Sequence, residues 1–204
     1  MRALDLFCGA GGASYGLWQA GFDEIIGVDI EPQPNYPFNF VLANAFDFNT
    51  QGFDFIWASP PCQAFTAYKR RPKHVHTRPN LIPKVRALLH NARTPFVIEN
   101  VVGAPLIAPV LLCGSMFGLD IRRHRIFETS FGVRQLPCEH ALQRPRFPQA
   151  TNRKSLRRTV EVGVWRIPLT VQRRAMGIDW MTLKELSQAV PPAYSNYLAS
   201  EFML

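Results

Sequence analysis

The chain has 204 residues, 47% of them hydrophobic and 19% charged, enough for one α/β domain with a real core and at most a small appendage. No stretch approaches the roughly 18 uninterrupted apolar residues of a membrane span, and Met1-Arg2 leads directly into a first strand with no room for a signal peptide. Four cysteines without a Cys-x-x-Cys pair fit a reducing compartment, and a net charge of +8 points to an acidic partner.

The first predicted strand, 3–7, runs into the turn Cys8-Gly9-Ala10-Gly11-Gly12 and then a helix-like stretch, 13–20. Strand, glycine turn and helix in that order open a doubly wound fold, because missing Cβ atoms let a cofactor approach the backbone. Cys8 reads as a packing residue in that turn. A second strand, 24–29, ends on Asp29, where such folds place a carboxylate for ribose hydroxyls; a solvated strand-end acid is the alternative. Pro32, Pro34 and Pro37 make the next crossover loop-like, ahead of a short strand over 40–43. The apolar strand 54–58 is followed by Ser59-Pro60-Pro61-Cys62-Gln63, which sets a thiol on a short loop just past a buried strand. Such a cysteine is placed to attack, or else is only a small buried apolar residue.

Segment 64–79 lacks regular periodicity and carries Lys69, Arg70, Arg71, Lys73 and Arg78, as expected of a loop that closes over a polyanion and holds its phosphates. An amphipathic helix is predicted over 81–91 and a strand over 96–100. Glu99 closes that almost wholly apolar strand, which implies a perturbed pKa and proton traffic, or a structural cap. Strands over 109–113 and 123–128 follow, the latter within Arg122-Arg123-His124-Arg125. Residues 1–120 hold nine Lys/Arg against nine Asp/Glu, residues 121–174 thirteen against three, and residues 175–204 one against three. The excess therefore sits in the middle block, as phosphate contacts require. Cys138-Glu139-His140 offers two metal ligands, but no second pair follows at finger spacing, so no metal is expected. The balanced last segment is partly helical, with Thr182 as an N-cap and a closing helix over 194–202.

Taken in order, the glycine turn, Pro61-Cys62-Gln63, Glu99-Asn100-Val101 and Arg123-His124-Arg125 resemble the motifs of the DNA cytosine-5 methyltransferases. Ser59-Pro60-Pro61-Cys62 and Met176-Gly177-Ile178-Asp179-Trp180 are similar to the compact, phage-type branch of that family. The resemblance implies an α/β fold: a doubly wound, Rossmann-like, S-adenosylmethionine-dependent methyltransferase sheet with a very small basic recognition insert. Residues 1–128 would bind cofactor and catalyse, 129–168 would read the target, and 169–204 would complete the catalytic domain. Double-stranded DNA is the implied partner, with no membrane and no obligate protein partner. A monomer is expected in the cytoplasm, that of the host cell if the protein is phage-encoded.

By resemblance, Cys62 adds to cytosine C6, Glu99 protonates N3, Arg125 holds O2 and Arg123 a nearby phosphate. The target base must leave the stack to be reached. The cofactor falls to Phe7, Gly9, Gly11, Gly12, Asp29, Ile30, Asn44, Ala45, Pro61, Gln188 and Val190. Asn44 stands where the family usually has Asp, so weaker but intact binding is expected, and Ser187-Gln188-Ala189-Val190 departs at the cofactor wall from the Gly-Asn-Ser-Val of many members. DNA contacts are expected from Gln63, Lys69, Arg70, Arg71, Arg153, Lys154, Arg157 and Arg158, with an insert this small reading only a few base pairs. A tRNA-directed relative would use the same chemistry and be similarly basic. A non-catalytic binding module is the other alternative, against which the presence of Cys62, Glu99 and Arg125 argues.

Overall fold

A computed structural model describes residues 1–65, 79–144 and 157–204. Its strands are β1 (Arg2–Leu6), β2 (Glu24–Asp29), β3 (Asn39–Leu42), β4 (Phe55–Ala58), β5 (Phe96–Asn100), β6 (Val110–Leu112) and β7 (Arg125–Thr129), in one sheet ordered β3-β2-β1-β4-β5-β7-β6. β3 to β5 are mutually parallel; β7 runs antiparallel between β5 and β6. Strand order reverses between β1 and β4, so a crevice opens at their carboxyl ends, the usual ligand position in an open α/β sheet.

Alternation along the central strands explains the two layers of core. Ala3, Phe55, Trp57 and Val97 face one way, against Ala13 and Leu17 of α1 (Gly12–Gln19) and Tyr194, Leu198 and Ala199 of α5 (Pro192–Met203). Leu4, Leu6, Ile56 and Ile98 face the other way, against Val85 and Leu89 of α2 (Ile82–Ala92). Period-two side chains with helices on both faces make these strands mostly apolar, with Asp5, Glu99 and Asn100 as buried exceptions. α5 lies close on α1 because glycines stand where side chains would collide: a Cβ on Gly16 would come 2.1 Å from the Pro192 carbonyl, and one on Gly12 2.4 Å from that of Val190. The end of the described chain thereby returns beside the glycine turn.

The expected strands 24–29 and 96–100 occur with those limits, no helix interrupts the crossover after β2, and Thr182 caps α4 (Leu183–Gln188) through a reciprocal pairing with Glu185. The other five strands shift by one or two residues at one or both ends. β1 stops at Leu6 because Phe7 turns left-handed at φ 59°, and β7 starts at Arg125 because Arg123 takes φ 30°, which no strand accommodates. Helix α3 (Leu169–Met176) and a two-residue parallel pairing of β8 (Gln143–Arg144) with β9 (Arg157–Arg158) have no counterpart in the sequence reading.

Candidate active site

Four segments meet at the carboxyl edge of the sheet: the turns after β1 and β4, the end of β5, and the start of β7. The first three arrive there because their strands are parallel. β7 is antiparallel, so its beginning lies beside the end of β5, with Ile126 opposite Asn100. Arg125 is thus carried to Glu99, and its Nε lies 3.0 Å from Glu99 Oε1, with both side chains largely buried. Burial pushes the Glu99 carboxyl above its ordinary range, against the opposing pull of Arg125 and Arg123 and a hydrogen bond from Ser59. The Ser59 hydroxyl accepts from Trp57 Nε1 at 2.8 Å, so its proton is free for that carboxylate.

The half-buried Cys62 thiol sits on the neighbouring turn, close enough for its ionisation to respond to all three charged groups. Burial raises its pKa most and Glu99 raises it further, while Arg125 and Arg123 draw it down. The cations that favour a thiolate here are therefore these arginines. Asn100 fixes the turn itself: its Nδ2 donates to the Pro60 carbonyl at 3.0 Å and its Oδ1 accepts from Val101 N at 2.9 Å.

Arg123 departs from the expected phosphate contact. Its Nε donates to the Ala189 carbonyl at 3.0 Å and its Nη2 to that of Ser187 at 2.7 Å, so the guanidinium ties the β6–β7 corner to the end of α4. Burial and the adjacent Arg125 lower its pKa to about 9, which leaves it cationic at neutral pH. The strained backbone at Arg123 is held by Tyr194, whose hydroxyl donates to the Arg123 carbonyl at 2.9 Å. Arg123 and Arg125 also line a cavity of about 440 Å³ with Ile121, Val160 and Val162.

On the other side of the crevice, the Asp29 carboxylate accepts from Gly9 N at 2.9 Å and from Glu31 N at 3.0 Å, which fixes it and leaves outward lone pairs. Ile30 beside it is 69% exposed, and a Cβ on Gly9 would meet nothing within 4 Å. A fixed carboxylate, a bare backbone and an open apolar face suit a nucleoside. The other glycines serve the protein: a Cβ on Gly11 would come 2.8 Å from Pro37 Cδ, and Gly12 makes room for Val190. Asn44 and Gln188 are exposed, and Asn44 Oδ1 accepts from Phe46 N at 3.1 Å. The Ala45 side chain belongs to the core beside Leu4 and Ile56, so only its backbone is available to a ligand.

Sequence reading passed over Ser59, Asn100 and Tyr194 as site residues. Ser59 and Asn100 adjoin the motifs that it singled out, whereas nothing local marks Tyr194. Of the expected nucleic-acid contacts, Gln63 is exposed next to Cys62, while Lys69, Arg70, Arg71, Arg153 and Lys154 lie outside the described residues. The backbone of Arg157 and Arg158 forms β9.

One further cluster bears on the expectation of no metal. Cys113, His124, Cys138 and His140 each bring a ligand-type atom within 4.8 Å of the others. The partner pair for Cys138 and His140 comes from the β6–β7 corner, not from a neighbouring finger-like repeat.

A Rossmann-like α/β sheet thus gathers a thiol, a carboxyl and a guanidinium at its carboxyl edge. The model of the C-5 cytosine-specific DNA methylase family matches residues 1–104, half of the chain, and the protein belongs to that family. Among curated proteins it is similar to the Type II methyltransferase M.XorII of Xanthomonas oryzae, at 31% identity over 118 residues, which are 49% of this chain and 28% of that protein. Similarity to the Type II methyltransferase M.AgeI of Thalassovita gelatinovora is 28% over 121 residues, 50% of this chain and 28% of the relative. The matched stretch thus spans under a third of these relatives. The crystal structure of the S. pombe Dnmt2 methyltransferase superposes with a TM-score of 0.58 at 15% identity, covering 98% of this chain and 97% of that one, a likeness of fold. No helix among the described residues is long and apolar enough to cross a membrane.

Proposed function

We propose that this protein transfers a methyl group from S-adenosylmethionine to C5 of cytosine in DNA through a covalent adduct at Cys62. The observation that carries this reading is the buried Glu99–Arg125 pair, 3.0 Å apart, beside a thiol whose ionisation it influences. Cytosine C5 is a poor nucleophile until something adds at C6. The Cys62 thiolate forms that S–C6 bond while the Glu99 carboxyl, whose pKa burial raises, delivers a proton to N3 and leaves an enamine. Arg125 steadies the base through O2 and takes up the negative charge that Glu99 acquires. After methyl transfer a solvent base takes the C5 proton, the S–C6 bond breaks to release the Cys62 thiolate, and N3 returns its proton to the Glu99 carboxylate.

S-adenosylmethionine supplies an electrophilic methyl group to the activated C5. Asp29 would hold its ribose, Ile30 its adenine, and the turn through Phe7 and Gly9 its backbone-facing side. DNA binds the basic block between residues 121 and 174 and the segment after Gln63, and flips the target base at a cost of a few kcal/mol.

The test is incubation with labelled S-adenosylmethionine and random-sequence DNA or RNA, followed by mapping of the labelled positions. Label at cytosine C5 in DNA is expected, as is covalent trapping by DNA with 5-fluorocytosine at the target, whose C5 substituent cannot leave as a proton. Label in RNA alone would reassign the substrate, and active enzyme that is never trapped would overturn the adduct.

A further inference from the structure

We propose that Cys113, His124, Cys138 and His140 form a structural zinc site that clamps the β6–β7 corner to the chain leaving it. Three stretches of backbone converge to build it. Cys113 follows β6 and starts a short 3-10 turn, Gly114–Phe117; His124 precedes β7. Antiparallel pairing sets Leu112 opposite Arg125, which brings the next residue of one strand beside the preceding residue of the other. After β7 the chain doubles back along the edge of β6, where the Gln135 side chain donates to the Leu111 carbonyl at 2.9 Å. Cys138 and His140 are thereby delivered to the corner, and Glu139 N donates to Ser115 Oγ at 3.2 Å.

Two thiols and two imidazoles with no carboxylate among them are the donor set of closed, tetrahedral zinc sites. Cys113 Sγ lies 3.1 Å from His140 Nε2, and Cys138 Sγ 3.5 Å from His124 Nε2. The edges of a tetrahedron built with Zn–S of about 2.3 Å and Zn–N of about 2.0 to 2.1 Å are about 3.3 to 3.8 Å, so small adjustments close the site. The two rings stand edge to face with centroids 5.0 Å apart, as two neighbouring ligands would. Ser115 Oγ donates to Cys113 Sγ at 3.2 Å, a hydrogen bond suited to a thiolate ligand. Cys113 Sγ also lies 2.9 Å from the Arg122 carbonyl, a contact that must lengthen when the thiol yields its proton. Binding sends two thiol protons to solvent, and two thiolates with two neutral imidazoles leave the zinc centre uncharged.

Four protein ligands leave no open position, which makes the role structural rather than catalytic. The clamp would fix the corner that bears Arg123 and Arg125, one of its ligands standing between them. The spacing Cys-x10-His-x13-Cys-x-His matches no finger pattern, because the pairing of β6 with β7, not a local loop, assembles it. The inference is independent of the substrate proposed above.

The experiment is elemental analysis of the untagged full chain, purified without chelator, together with cobalt(II) titration of the metal-stripped protein. About one zinc per chain is expected, with the intense visible bands of tetrahedral cobalt and thiolate-to-cobalt charge transfer. Cys138→Ser and His140→Gln should each lower zinc affinity at least tenfold, roughly, while Cys62→Ser retains full occupancy. If either variant fails to fold, the cobalt spectrum of the wild-type chain decides. Absence of both zinc and a thiolate–cobalt spectrum would overturn the site. So would undiminished zinc in folded Cys138→Ser and His140→Gln, or a Cys113–Cys138 disulfide in the freshly purified chain.

Discussion

The parallel half of the sheet, β3 to β5, and the antiparallel corner made by β7 and β6 contribute to the same edge by different means. In the parallel half, each functional residue sits at or just past the carboxyl end of its own strand, on a backbone buried from both faces: all of β4 and β5 is buried. In the corner, strand burial is partial, and Arg123 precedes β7 while Arg125 opens it, after a turn whose backbone is held from elsewhere in the chain. Tyr194 holds the Arg123 carbonyl, and the end of α4 holds its guanidinium. The difference teaches that one half of the site is built by local segments and the other by distant ones. In the proposed reaction the parallel half would supply the nucleophile and the acid, and the corner would tune and position them.

The sharpest break in this division is Cys62→Ser, which should lower methyl transfer at least a thousandfold, roughly, because a hydroxyl is a far poorer nucleophile. Thermal unfolding and cofactor binding should stay near wild type, and substantial turnover would remove Cys62 from the chemistry. Glu99→Gln keeps the size and burial but cannot deliver a proton to N3, and should cost about 10²- to 10⁴-fold in kcat. Single-turnover rates with pre-bound DNA would separate this loss from weakened binding.

A pH test probes the buried strands themselves. Asp5 is fully buried in β1, and burial, opposed by a hydrogen bond from Ser14, raises its carboxyl to about 7. An acid whose folded pKa is raised binds a proton in the folded state that the unfolded chain has already lost. Its stabilising contribution is complete below about pH 4 and is lost as pH rises through about 7. Denaturant unfolding of wild type should therefore weaken relative to Asp5→Asn across that window, by about 3 kcal/mol. A constant difference between the two proteins from pH 4 to pH 8 would contradict the shift.

Smaller effects are expected where one half holds the other. Asn100→Ala frees the Pro60 carbonyl and lets the Cys62 turn wander, which should cost about 10- to 100-fold in kcat, with KM for the cofactor little changed. Trapping by 5-fluorocytosine should slow in parallel, since the attack itself is misaligned. Tyr194→Phe removes the hydroxyl that pins the Arg123 carbonyl and should destabilise by about 1 kcal/mol. A Tyr194→Phe loss as large as that of Glu99→Gln would mean that the corner does more than position.

How much of this was legible follows the same division. The strands 24–29 and 96–100 could be read to their ends because each is a short apolar run closed by a polar residue, Asp29 or Asn100, and such signals act within a few residues. The motifs holding Cys62 and Glu99 lie in the same kind of segment. The start of β7 was misplaced by two residues because the left-handed turn at Arg123 is imposed by residues some seventy positions later. The Arg123 contacts with the Ser187 and Ala189 carbonyls have no local signature either. Gly11 was read as room for a cofactor, whereas Pro37 and Tyr36 fill that room.

The sequence by itself determined the order of strands β1 to β7 along the chain, the apolar core, and the thiol and carboxyl at strand ends, because hydrophobic period and turn chemistry are properties of neighbouring residues. Only the tertiary structure decided that β7 runs antiparallel, and that single reversal brings Arg125 to Glu99. The same reversal sets Cys113 beside His124 and lets the returning chain add Cys138 and His140. Contacts of this kind depend on strand order and direction, which a long-range packing balance sets and no short window of sequence records.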